Sequence, residues 1–137
     1  QGESYDNSVP TKRFGQSMAA MTDANAAVTG HSLYLAGLRQ DAAHRTTLWL
    51  FNPGSVNAQY DIFYRGLDGS VIGSTRGVIL GAGKLRQFSP NQHPIPAAGV
   101  QDGFTVQIVV TSGKVLSAAQ VVNNDTNDPS YIQGEAR

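Results

Sequence analysis

From Ala58 to Arg65 the side chains alternate, with Ala58, Tyr60, Ile62 and Tyr64 on one parity and Gln59, Asp61, Phe63 and Arg65 on the other. At a period of two, successive residues point to opposite faces, so this stretch predicts a strand with one buried side. It runs into Gly66-Leu67-Asp68-Gly69, whose Asp-Gly pair tolerates a positive φ, and then into Ser70 to Leu80, rich in Val, Ile and Thr. Together these pieces predict a β-hairpin over 58–80. A ribbon with one apolar face needs a second layer to cover it.

The rest of the chain supplies that layer. Thr46 to Phe51 is aromatic and β-branched, and Asn52-Pro53-Gly54 stops it, which reads as a central, well-buried strand. Phe104, Val106, Ile108 and Val110 alternate with Thr105, Gln107 and Thr111, and Ser112-Gly113-Lys114 leads to a second apolar run, Val115 to Val122. This predicts a second hairpin over 104–122. Shorter strands are expected at Ser32 to Leu38 and Lys84 to Phe88, with a terminal piece at Tyr131-Ile132. The expected fold is therefore an all-β, antiparallel, immunoglobulin-like two-sheet sandwich of about seven strands. Ser89 to Asp102 carries Pro90, Pro94 and Pro96, so it is expected to be a long surface connection of the Greek-key kind. In the N-terminal third, Phe14, Met18, Met21 and Asn25 fall at helical spacing. A short edge strand at Arg13 to Ala19 followed by an irregular loop is the preferred alternative. The organisation expected is a flexible arm over 1–11, one sandwich domain over 12–134 and a tail over 135–137.

Composition excludes several functions. Ten Lys+Arg balance ten Asp+Glu over 137 residues, so no basic excess draws nucleic acid. No run approaches the eighteen or so apolar residues of a membrane helix, so no membrane insertion is expected, and Gln1 to Asn7 lacks a signal-peptide core. If the protein is exported, this is its mature part. The absence of cysteine removes disulfides, thiolate metal sites and a cysteine nucleophile.

Several stretches occur in a familiar order: Arg13-Phe14-Gly15-Gln16, Gly37-Leu38-Arg39-Gln40, Arg45 to Gly54, Leu67 to Gly73 and, above all, Val121 to Ile132. In this the chain resembles a β-sandwich module that recurs in secreted multidomain proteins of bacteria, as one of several copies or appended to an exported enzyme. The likeness spans residues 12–134. It implies export or display at the bacterial cell surface and an accessory role, and it carries no catalytic residues onto this chain. Leu48-Trp49-Leu50-Phe51 departs from the aliphatic strand usual in such modules and leaves room for a binding face.

Catalytic motifs are incomplete. Gly30-His31-Ser32-Leu33-Tyr34 begins a nucleophile elbow and lacks its final glycine. The three histidines, His31, His44 and His93, read as solvent-facing loop residues. Gly81-Ala82-Gly83-Lys84 lacks the first glycine and the Ser/Thr of a phosphate loop and reads as a turn. Asp41 and His44 lie three apart, too few groups for zinc. Asn123 to Asp128 has the oxygens of a calcium loop, yet Asp and Asn also favour turns by bonding their own backbone, and that is the preferred account. No catalytic residue, metal ligand or cofactor is assigned.

Aromatic residues offer the remaining chemistry, because exposed rings stack on sugars or anchor partners. Phe63 shares its parity with Gln59, Asp61 and Arg65, a polar face, and is the residue out of place. Phe63, Trp49 and Phe51 are the expected ligand-binding residues. The function expected is a non-catalytic extracellular module for binding, adhesion or spacing within a larger exported protein. Its partners would be neighbouring domains or a protein or glycan surface. The alternatives are self-association into a filament or array through the N-terminal arm, and a hydrolase whose site is assembled in space.

Overall fold

The computed structural model describes residues 21–88 and 101–137. A 3-10 turn at Asp23–Asn25 leads into ten strands. They are β1 (Ala27–Val28), β2 (Ser32–Gln40), β3 (His44–Phe51), β4 (Ala58–Arg65), β5 (Val71–Leu80), β6 (Leu85–Phe88), β7 (Gln101–Ser112), β8 (Lys114–Asn123), β9 (Pro129–Gln133) and β10 (Glu135–Ala136). One five-stranded sheet runs β10-β2-β7-β4-β5 and the other runs β1-β8-β3-β6, with β9 also pairing β8. All pairs are antiparallel. The fold is an antiparallel β-sandwich, with three strands of two to five residues (β1, β9 and β10) beyond the seven main ones.

The core lies where the two apolar faces meet. β4 contributes Tyr60, Ile62 and Tyr64, and β7 contributes Phe104, Val106, Ile108 and Val110. From the opposing sheet come Leu48 and Leu50 of β3 and Val115, Ala119 and Val121 of β8. Each large side chain so buried stabilises the fold by roughly 1.5–3 kcal/mol before the ordering cost is subtracted. The predicted hairpin over 58–80 is β4 and β5, closed at Gly66–Gly69 by the bond from Gly66 N to Ser70 O at 2.9 Å.

Residues 104–122 do not form a hairpin. β7 pairs with β2 and β4, whereas β8 pairs with β1, β3 and β9 in the other sheet. The chain changes sheet at Gly113, whose φ is +78° and where a Cβ would lie 2.9 Å from the Ala58 Cα. A single-residue link is too short for a two-residue hairpin turn, and only glycine meets the positive φ and the close approach without strain. The β2 and β3 strands separate in the same way. Their tip is closed by two backbone bonds between Asp41 and His44, and beyond it each strand joins a different sheet.

Other expectations need adjustment. Gln101 and Asp102 belong to β7 rather than to a surface connection, while 89–100 lie outside the described residues. At Asn25 the helical spacing yields only a 3-10 turn, capped by the Asn25 side chain on Thr22 N at 3.0 Å. The Arg13 to Ala19 strand and the arm over 1–11 lie outside the described residues. Residues 135–137 are not a loose tail, since β10 pairs with β2 and Arg137 exchanges two backbone bonds with Ser32, each 2.8 Å.

The last strand also changes sheet. β9 lies on β8 and β10 on β2, and between them the buried Gly134 donates its N–H to Ser117 O at 2.9 Å. A methyl group at 134 would overlap the Ser117 hydroxyl, which is buried and has no hydrogen-bond partner among the described residues. Gly134→Ala is expected to destabilise the domain by about 2–4 kcal/mol. Ser117→Ala alone should change stability by under about 1 kcal/mol, because the hydroxyl it removes is unsatisfied. In denaturant unfolding, the double variant should recover about 1–2 kcal/mol of the first loss; additive losses would show that the hydroxyl does not set the constraint.

Candidate functional site

The outer face of the β10-β2-β7-β4-β5 sheet carries Phe63. Because Tyr60, Ile62 and Tyr64 point inward, Gln59, Asp61, Phe63 and Arg65 point out. The register places Tyr34 of β2 opposite Gln107 of β7, Gln107 opposite Phe63 of β4, and Phe63 opposite Ser74 of β5. Tyr34 and Phe63 therefore stand two strand spacings apart, about 10 Å, with Gln107 between them. Gln107 is held from both sides, its Oε1 accepting from Arg65 Nε at 2.9 Å and its Nε2 donating to Tyr34 Oη at 3.1 Å and Ser32 Oγ at 3.3 Å. Two further arginines lie on this face, with the Arg76 guanidinium 5.1 Å from the Phe63 ring centre and that of Arg137 5.4 Å from the Tyr34 ring centre. Such pairs contribute roughly 0.5–1 kcal/mol each where exposed.

Phe63 does not meet Trp49 and Phe51. Those two lie on β3, on the outer side of the other sheet. Trp49 is 1% exposed and packs with Ala26, Leu116 and Ala118, with Met21 and Phe51 against the same cluster. Trp49 thus builds a second small core and presents no ring to a ligand, while Phe51 is half-buried at its margin. Of the residues that accompany Phe63, Gln107 follows from pairing 58–65 with 104–110, while Tyr34, Arg76 and Arg137 come with the β2–β7, β4–β5 and β10–β2 pairings. The apparent hairpin over 104–122 obscured the first of these pairings. Tyr60 and Tyr64 face the core, and burial pushes both phenols above their ordinary pKa, opposed at Tyr60 by the positive charge of Arg86.

A second concavity of about 390 Å³ opens at one end of the sandwich, where Gly37, Arg39, His44, Val121, Asp128 and Ser130 are among its walls. His44 Nδ1 lies 3.0 Å from Asp41 Oδ1, and Ala43 N donates to the same oxygen at 2.8 Å. The Arg39 Nε is 3.9 Å from Asp41 Oδ2. Among the described residues no serine or threonine hydroxyl hydrogen-bonds His44, so the Asp-His pair has no attached nucleophile. His31 sits at a different shallow concavity with Ala26 and Arg137, and His93 lies outside the described residues.

In the Asn123–Asp128 loop, Asn123 and Thr126 direct their side chains to the backbone. Asn123 Oδ1 accepts from Asp125 N at 2.9 Å and Thr126 N at 3.2 Å, and Thr126 Oγ1 accepts from Asp128 N at 3.2 Å. Asn127 takes a φ of 60°, and Asn124 joins the loop to the β2–β3 tip through Arg45 and Ala42 O. Among the described residues no group of three or more His, Asp or Glu is arranged to hold a metal. Gly81 to Lys84 is a turn, closed by Lys84 N on Gly81 O at 3.0 Å.

No family model and no curated protein matches the chain. Its structure is similar to the crystal structure of Thermotoga maritima 1070, with a TM-score of 0.60 and 12% identity. The match covers 77% of this chain and 93% of that one. Likeness at that identity shows the sandwich fold and leaves function to the chemistry of its surfaces.

The Asp41 carboxyl is held below its ordinary pKa of 3.8, chiefly by the hydrogen bond from His44 and against a smaller opposing effect of burial. A carboxylate lowered in the folded state adds stability above its unfolded pKa, and that stability is lost as pH falls through the folded value. Carboxyl NMR titration should therefore place Asp41 below 3.8 and should move it upward in His44→Ala; an unmoved midpoint would mean that the imidazole contributes nothing.

Proposed function

We propose that this domain is a non-catalytic binding module that takes an extended ligand across the outer face of its five-stranded sheet. The observation that supports this most is the row Tyr34-Gln107-Phe63, three outward side chains at one register position on adjacent strands. Two half-buried aromatics, each with a guanidinium over its ring, frame an amide whose orientation is fixed by Arg65 and Ser32. Placement in a larger exported bacterial protein rests on the resemblance of residues 12–134 to accessory modules of that kind. A glycan array should show retention by the parent chain and at least about tenfold weaker retention by Phe63→Ala, the loss of one central anchor. Retention unaffected by the substitution would move the ligand off this face.

A second reading has its own support. β5 is the outer strand of its sheet, ten residues long, with exposed Val71 and Ile79 near its ends. An outer strand offers N–H and C=O groups to an added strand, and the polar segment 1–11 is the candidate donor. If the module self-associates in this way, the chain elutes early in size-exclusion chromatography at high concentration and a chain without 1–11 elutes as a monomer. Identical monomeric elution of both would remove this reading.

A further inference from the structure

We propose that the ligand of the outer sheet face is an anionic polysaccharide, a carboxylate-bearing polyuronate, gripped by Arg76 and Arg137; this rests on the binding-face reading above. A neutral sugar ring binds an aromatic by lying against its face. Here those faces are taken, since a guanidinium stands over each ring at 5.1 Å on Phe63 and 5.4 Å on Tyr34. The rings therefore serve as shelves for arginine. A guanidinium held over a ring can still direct N–H groups at the two oxygens of a carboxylate. Among the described residues no protein acceptor takes the side-chain N–H groups of Arg76 or Arg137.

Local geometry sets the arginines in place. At Arg76–Gly77 the β4–β5 register slips by one residue opposite Asp61, and Gly77 N donates to Asp61 Oδ1 at 2.8 Å. Such a bulge re-aims the side chain beside it. It also fixes the position of the Asp61 carboxylate through that backbone bond. Arg65, bonded to Gln107 Oε1 and Gly69 O, adds a third positive charge on the same face, two residues along β4 from Phe63. Asp61 and Glu135, the latter opposite Tyr34, stand on the same face, so its three arginines outnumber its two carboxylates by one although the chain as a whole has no net charge.

Spacing and polarity favour a glycan over an acidic peptide. The two shelved arginines accompany rings about 10 Å apart across the strands, a distance that calls for an extended chain with repeated anionic groups. Between and beside the rings lie hydroxyls and amides, Ser32, Ser74, Gln59 and Gln107, which suit a hydroxyl-rich ligand.

The test is affinity electrophoresis of the 137-residue chain and its variants through gels containing polygalacturonate, neutral cellulosic glucan or poly-glutamate. Retention by polygalacturonate is expected, weakened about tenfold in each of Arg76→Gln and Arg137→Gln and further by salt at about 0.5 M. Unchanged thermal unfolding of both variants confirms that they remain folded. Retention by neutral glucan alone, lost in Phe63→Ala, overturns the anionic assignment and leaves the binding face standing. Equal or stronger retention by poly-glutamate overturns the glycan assignment. No retention in any gel overturns both the assignment and the binding-face reading.

Discussion

β8 is covered on both of its faces and along both of its edges, and the rest of the domain is arranged around that fact. Every residue from Val115 to Val122 is buried. Val115, Ala119 and Val121 face the interior between the sheets, while Leu116 and Ala118 face the cluster around Trp49. One edge is bonded to β3, and the other is shared by β1 near Val115 and β9 from Ala118 onward. A strand apolar on both sides cannot stand at the rim of a sandwich, because one face would meet water. Its neighbours follow: β3 must bring Trp49 to the outer side, and the C-terminal strand must return to seal the free edge.

The same constraint explains what could be read from residues alone. Alternation names the face on which each side chain lies, and it did so correctly for β4 and β7. It does not name the partner strand. Over 58–80 the Asp-Gly turn supplied the partner as well, since a short reversal between Gly66 and Ser70 returns the chain to its own neighbour. At Gly113 the same kind of signal meant a crossing to the opposite sheet, and only the lack of alternation in the mostly apolar β8 distinguished the cases. Trp49 was legible as part of a buried strand and illegible as to which core it served, because the second cluster assembles from residues as distant as Ala26 and Leu116. β1 and β10, two residues each, are too short to carry a pattern, and their existence depends wholly on the strands they join.

The candidate site was half visible. Phe63 stood out as an apolar residue on a polar parity, and the structure keeps it on the outer face. Its companions come from β2, β5, β7 and the end of β10, and no local motif links Tyr34, Arg76, Gln107 and Arg137. Their proximity is a product of register, so a single slip of β7 against β4 would send Gln107 inward and dissolve the row.

That dependence on register also governs how the face acts. Ordering a long arginine costs about 2 kcal/mol of rotamer freedom, which a flexible side chain must give up when it meets a ligand. On this face part of that loss is incurred in folding, through the rings beneath Arg76 and Arg137 and the backbone bond that fixes the bulge beside Arg76. Arg65 is likewise held by Gln107, which Tyr34 and Ser32 hold in turn. Exposed charges on mobile stems bind weakly because desolvation and ordering consume most of their Coulomb attraction. Charges seated on a rigid sheet avoid much of that ordering term.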